Sequence, residues 1–171
     1  LSNVAAGVML LILRPFKVGD YIEFGATAGT VRTLGLFGTE LNTFDNKYVY
    51  APNSNIWGAE IINYSRNTHR RQDIPVGISY DDDINKAFEV VQSVLDKDER
   101  LIRTPDKAPF VKVISMGDFS INLIARVWTN TSDFFDVQWD LNKKIKEALD
   151  QNGISIPFPT QTQIQIKADQ D

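Results

Sequence analysis

The sequence predicts an α+β protein built from two successive modules, and three observations carry that expectation. Residues 17–66 hold five short, alternating apolar segments separated by turn residues. Residues 67–159 read in the order β-α-β-β-α. An uncharged helical run precedes the first module within residues 1–16, and a strictly alternating segment follows the second within residues 160–171.

Composition narrows the function classes. At 171 residues, 43% hydrophobic and 23% charged, the chain can bury a real core. A net charge of −4 argues against wholesale nucleic-acid binding, which shows as a basic surplus. With no cysteine, disulfides and Cys-based zinc sites are excluded. One histidine, His69, cannot build a His-rich metal site within one subunit. No glycine-rich phosphate loop, nucleophile elbow or pair of catalytic acids appears in suitable context, so neither an enzyme nor a cofactor is expected.

The amino-terminal run suits a helix. Residues 4–13 are uncharged, too short for the roughly 20 residues of a bilayer span, and lack the flanks of a secretory signal. Its small residues Ala5, Ala6 and Gly7 would let another backbone approach closely. Arg14-Pro15 stops it, because proline disfavours the α conformation of the preceding residue. With Leu1 in place of an initiator methionine, the start reads as the tail of a membrane segment entering a folded domain. A buried helix of a soluble domain is the other reading.

The first module follows. Strands are expected over 21–24, 30–34, 39–44 and 47–50, with Gly25 and Gly29 bracketing one turn and Asp45-Asn46 making another. Pro52-Asn53-Ser54-Asn55 is turn chemistry, and 56–64 returns to apolar character. Five short strands in so few residues suggest a small, bent barrel whose edges ring assembly would cover.

The second module opens after the polar stretch 65–73 with a strand over 74–80. A helix follows, with Ile84, Ala87, Phe88, Val91, Val94 and Leu95 on one face. Asp81-Asp82-Asp83 at its start reads as capping rather than metal binding. Strands over 110–114 and 120–128 form a hairpin around Gly117-Asp118. A last helix over about 132–152 buries Phe134, Val137, Leu141, Ile145 and Leu149, with Gly153 at its C-terminal cap. This order describes a ferredoxin-like sandwich. Trp128 and Trp139 are expected in the core or at an interface. After Ile156-Pro157-Phe158-Pro159, residues Thr160, Thr162, Ile164 and Ile166 share one strand face. The prolines favour pairing of this strand with other subunits over docking on its own sheet, and a frayed tail is the third possibility.

Several blocks resemble the small-conductance mechanosensitive channel (MscS) family. Leu1-Ser-Asn-Val-Ala-Ala-Gly-Val8 and Arg14-Pro-Phe-Lys-Val-Gly-Asp20 resemble the end of its third transmembrane helix and the exit into the cytoplasm. Pro52-Asn53-Ser54, Ile62-Asn63-Tyr64-Ser65-Arg66, Arg126-Val-Trp128, Trp139-Asp140-Leu141 and Gly153-Ile-Ser-Ile-Pro-Phe-Pro159 resemble further signatures, in the family's order.

The resemblance implies a homoheptamer in the inner (plasma) membrane, this part being cytoplasmic. Sm-like β domains would form a ring, αβ domains a vestibule with portals, and the C-terminal strands a parallel barrel. It implies gating and helix-packing roles for Asn3, Ala5, Ala6 and Gly7. Arg14, Phe16 and Lys17 fall at the membrane interface, and lipids, ions and small solutes are the implied partners. Pro52 and Asn53 read as a structural turn. The basic cluster Arg66, His69, Arg70 and Arg71 reads as a portal linker engaged in ion pairs. A ring-forming Sm-like RNA-binding module is the alternative function, and a soluble enzyme with a ferredoxin-like domain is a third class.

Overall fold

The apolar run folds as helix α1 (Ser2–Leu13) in a computed structural model that describes residues 1–163. It stops where Arg14, unable to stay α-helical before Pro15, turns left-handed at φ 46° and donates its N–H to the Leu10 carbonyl. No helix among the described residues is long and apolar enough to cross a membrane. The chain divides into two units, Leu1–Thr68 and His69–Asp171.

In the first unit, strands β1 (Tyr21–Phe24), β2 (Thr27–Leu34), β3 (Gly38–Asn42) and β4 (Tyr48–Pro52) lead into a short helix α2 (Asn53–Trp57) and strand β5 (Ile61–Asn63). They form one antiparallel sheet in the order β4-β3-β2-β1-β5. Period-two alternation puts Ile22 and Phe24 inside while Tyr21 and Glu23 stay half-buried. Leu10, Phe16, Val31, Leu41, Ala51 and Ile56 complete this core.

Three expectations change. Gly29 lies within β2, opposite Ile22, so the turn involves Gly25 but not Gly29. Pro52-Asn53-Ser54-Asn55 is a strand end passing directly into α2, and 56–64 is a helix end followed by β5 rather than one strand. The edge strands β4 and β5 share no ladder, so the hydrogen bonding describes an open sheet of five strands.

The second unit holds β6 (His69–Ile78), α3 (Ile84–Asp96), β7 (Phe110–Met116), β8 (Ile121–Asn130) and α4 (Phe134–Gln151). Strand β8 lies between β6 and β7 and is antiparallel to both. β6 and β7 are therefore parallel and split by β8, an arrangement compatible with the β-α-β-β-α order. Val76, Ile78, Leu123 and Val127 face Val91, Leu95, Val137 and Leu141 from the helices in one core. Pro75 is tolerated because β6 is an edge strand, where a missing N–H breaks no ladder. β6 begins at His69 rather than at residue 74, so 69–73 are strand residues and not a polar connection. Residues 160–163 take no regular structure, and Ile164 and Ile166 lie outside the described residues.

Local chemistry sets both helix ends. The Asp83 carboxylate accepts the Lys86 N–H at α3's first turn, and Asp82 accepts the N–H groups of Ser79 and Ser155. Beyond α4, Gly153 at φ 69° lets Ile154 N–H reach the Leu149 carbonyl and Gly153 N–H reach that of Asp150. This double bond pattern satisfies the last carbonyls and turns Ile154 into the core.

Gly153→Ala should therefore lower stability by about 1–2 kcal/mol in urea denaturation, the cost of a Cβ in left-handed backbone. Asp98 is buried, and its hydrogen bonds from the Arg100 guanidinium hold its carboxyl below the usual aspartate range. A depressed folded pKa contributes stability above the unfolded value that is lost as pH falls through the folded one. Asp98→Asn should thus destabilise at neutral pH, with the gap to wild type closing in acid.

Candidate functional site

Helix α1 meets the rest of the first unit through Ala6, Gly7 and Leu10, its buried residues. The spacing places them on one side of the helix. A Cβ on Gly7 would lie 2.6 Å from Asn53 Nδ2 and 2.7 Å from the Leu36 carbonyl oxygen, too close for any side chain. Ala5 is exposed and takes no part in this packing.

Beneath Gly7 sits Asn53, fully buried at the start of α2. Its Nδ2 donates to the carbonyls of Gly35 (2.9 Å) and Leu36 (3.1 Å), and its Oδ1 accepts from Thr39 Oγ1 (2.9 Å). Its backbone N–H donates to the Phe37 carbonyl at 3.0 Å. One amide thus ties the β2–β3 turn to α2, and Gly7 presses on that same amide. Pro52, the residue ahead of α2, has no side-chain acceptor to offer the helix. Asn3 supplies it from α1: its Oδ1 accepts the Ser54 N–H at 3.0 Å. Asn3 and Gly7, one turn apart, therefore engage adjacent residues of α2.

A second fastening holds the exit of α1. The buried Asp20 carboxylate accepts Lys17 N–H (3.1 Å) and Asn63 Nδ2 (2.8 Å), and Asn63 Nδ2 also reaches the Pro15 carbonyl (3.1 Å). Arg66 directs Nη1 at the Arg14 and Pro15 carbonyls, at 3.4 and 3.5 Å. Among the expected membrane-interface residues, Arg14 and Lys17 are exposed, but Phe16 is not available to lipid. It is buried with Ile22, Val31 and Leu41 in the core.

The basic cluster is divided between the two units. Arg66 belongs to the first unit, whereas His69, Arg70 and Arg71 open strand β6 of the second. Arg71 pairs with Asp73 at 3.4 Å, as ion pairing predicts. Asp73 is held chiefly by Arg126 through two hydrogen bonds of 2.8 and 2.9 Å, which keep its carboxyl below the usual range. Arg70 stacks its guanidinium 3.7 Å from the Phe134 ring centroid. His69 Nδ1 lies 3.0 Å from Lys107 Nζ. Trp128 is half-buried and sits 5.2 Å from that ammonium, while Trp139 is exposed on α4 beside Phe135.

The hub formed by Asn53 is what sequence reasoning missed. A Pro-Asn pair signals a turn, and nothing local shows that the amide is buried under a glycine 46 positions earlier. Asn53→Ala strands two carbonyls and a hydroxyl and should cost about 2–3 kcal/mol in urea denaturation. Gly7→Ala should cost about 1–3 kcal/mol through overpacking. Ala5→Ser, at an exposed position, should leave the transition close to wild type.

The chain matches known proteins along most of its length. A family model described as the mechanosensitive ion channel β-domain covers residues 1–66, and one described as the MscS C-terminal domain covers residues 73–156. An uncharacterized MscS family protein of Buchnera aphidicola from Acyrthosiphon pisum is 43% identical over 159 residues, which is 93% of this chain and 52% of that protein. The small-conductance mechanosensitive channel of Edwardsiella ictaluri is 42% identical, over 93% of this chain and 55% of its own length. The chain thus spans about half the length of the curated relatives it matches. The crystal structure of Helicobacter pylori MscS in its closed state aligns with a TM-score of 0.88 at 34% identity, over 98% of this chain and 66% of that one. Arabidopsis thaliana MSL1, seen by cryo-EM, shares the fold with a TM-score of 0.78 at 22% identity, over 93% of this chain and 58% of its own. Matched in both units by the family's own models, the chain belongs to the MscS family of mechanosensitive ion channels.

Proposed function

We propose that this chain forms the cytoplasmic vestibule and lower pore-helix segment of a channel that opens under membrane tension and releases ions and small solutes during hypoosmotic shock. The observation that carries the reading is the seating of an apolar helix on a buried polar hub. α1 presses Gly7 against Asn53 and the Leu36 carbonyl while Asn3 caps α2. The opposite side of α1 leaves Val8 and Ile12 uncovered. A helix held by such hard contacts passes its displacement to α2 and the β2–β3 turn, since packed groups shift between discrete arrangements rather than deform smoothly. Tension favours the arrangement of larger in-plane area. Asn3, Gly7 and Asn53 set how readily the helix leaves its seat, hence closing and inactivation.

Seven copies assemble in this reading. The unpaired edges β4 and β5 of the first unit suit an Sm-like ring in which neighbours cover each other's edges. The second unit, ferredoxin-like, walls the vestibule, and the segment bearing Thr160 and Thr162 closes its base on assembly. Arg14 and Lys17, exposed just beyond α1, meet lipid headgroups of the inner membrane. Arg70 and Arg71 influence ion passage at the portals.

The full-length parent, expressed in bacteria lacking their own mechanosensitive channels, should rescue survival on osmotic downshock and give pressure-activated currents in excised patches. Asn53→Ala in that parent should shift the opening pressure and the time course of closing. A parent present in the membrane at normal levels that gives neither rescue nor current overturns the reading.

A further inference from the structure

The second unit carries, at one end, a pocket of about 540 Å³ that the channel reading does not use. Three segments wall it: the residues just after β6, the β7–β8 turn, and the stretch after α4. Tyr80, Phe119, Ile156, Pro157 and Phe158 line it together with Ser79, Ser155 and Thr160, and among the described residues its ionisable groups besides the tyrosine are Asp81 and Asp118. Neither carboxylate has an ion-pair partner among the described residues, and both are exposed.

Hydrogen bonds join these walls. Asp82 accepts Ser79 N–H at 3.2 Å and Ser155 N–H at 2.9 Å, while Ser79 N–H also donates to the Ser155 carbonyl at 3.2 Å. Tyr80 Oη donates to the Gly117 carbonyl at 2.5 Å, fixing one aromatic wall to the turn that bears Asp118 and Phe119. The first and third segments are thus bound through Asp82, and the first and second through Tyr80. Asp82 is spent on this frame, which leaves Asp81 and Asp118 to face a ligand.

We propose that this pocket binds a small quaternary ammonium cation. Two unpaired carboxylates select positive charge, and aromatic faces attract a cation whose hydration is weak. A hard metal ion needs six or more oxygen ligands, and the described residues hold no group of three or more acidic or imidazole side chains placed to supply them. A primary ammonium is strongly hydrated and gains less from such a lining. The volume falls within the range of small-molecule pockets. This inference does not depend on the channel reading.

The test is an NMR titration of the 171-residue chain in maltoside micelles with choline and with tetramethylammonium, against potassium chloride at equal ionic strength. Saturable amide shifts in 79–81, 118–119, 155, 156 and 158 are expected with both organic cations and not with potassium. Phe119→Ala, and separately Asp81→Asn with Asp118→Asn, should each weaken binding about tenfold, with the rest of the spectrum unchanged. Equal shifts with potassium, shifts that do not saturate or that map elsewhere, or affinity unaltered by these variants would overturn the assignment.

Discussion

The first unit depends on one buried amide. Asn53 spends both donors and its carbonyl oxygen on the β2–β3 turn and Thr39, while its backbone N–H holds Phe37. Burying an amide is costly unless it is satisfied, so a site that satisfies every group admits one arrangement and resists neighbours of it. Gly7 rests on this amide, and its missing side chain lets α1 come within contact of α2 and the Leu36 carbonyl. Asn3 then supplies the cap that Pro52 cannot. The seat of α1, the turn between β2 and β3, and the start of α2 are in this sense one polar and steric unit.

The second unit is organised differently, with its sheet buried on one face by α3 and α4 and mixed polar and apolar on the other. On that second face Asp73, Arg126 and Phe110 occupy matched register positions across β6, β8 and β7. The guanidinium of Arg126 joins them, bidentate on the carboxylate and 5.5 Å from the ring centroid. Arg100 ties Asp98 to Asp140 of α4, and Arg103 collects the carbonyls of Leu95, Asp96 and Asp98 at the end of α3. Most of this unit's basic side chains near β6 are thus absorbed by local partners. The carboxylates at the end of the unit, Asp81 and Asp118, have no ion-pair partner among the described residues.

Legibility followed the range of the signal. α3 was readable because its apolar spacing and the Asp83 cap lie within a few residues, and α4 because Gly153 marks its end. β6 was read five residues short, since His69, Arg70 and Arg71 look like a solvated connection until β8 supplies Asn130, Thr129 and Trp128 as register partners. Phe16 looked like an interfacial aromatic after an apolar helix, and only the closing of the sheet buried it. Ala5 was grouped with Ala6 and Gly7 by composition, although one residue of offset turns a helical side chain by about 100°.

By itself the sequence determined what depends on neighbours along the chain: the helix ends, the alternation of the strands, the βαββα order and the blocks that mark the family. Only the tertiary structure decided what depends on groups far apart in sequence meeting in space. Asn53 became a hub and not merely a turn residue because Thr39, Gly35 and Leu36 converge on it under Gly7. Asp82 became a brace and not merely a capping residue because Ser155 meets it from a distant part of the chain. A hydrogen bond or a contact is a property of distance in space, which residue order along one segment does not encode.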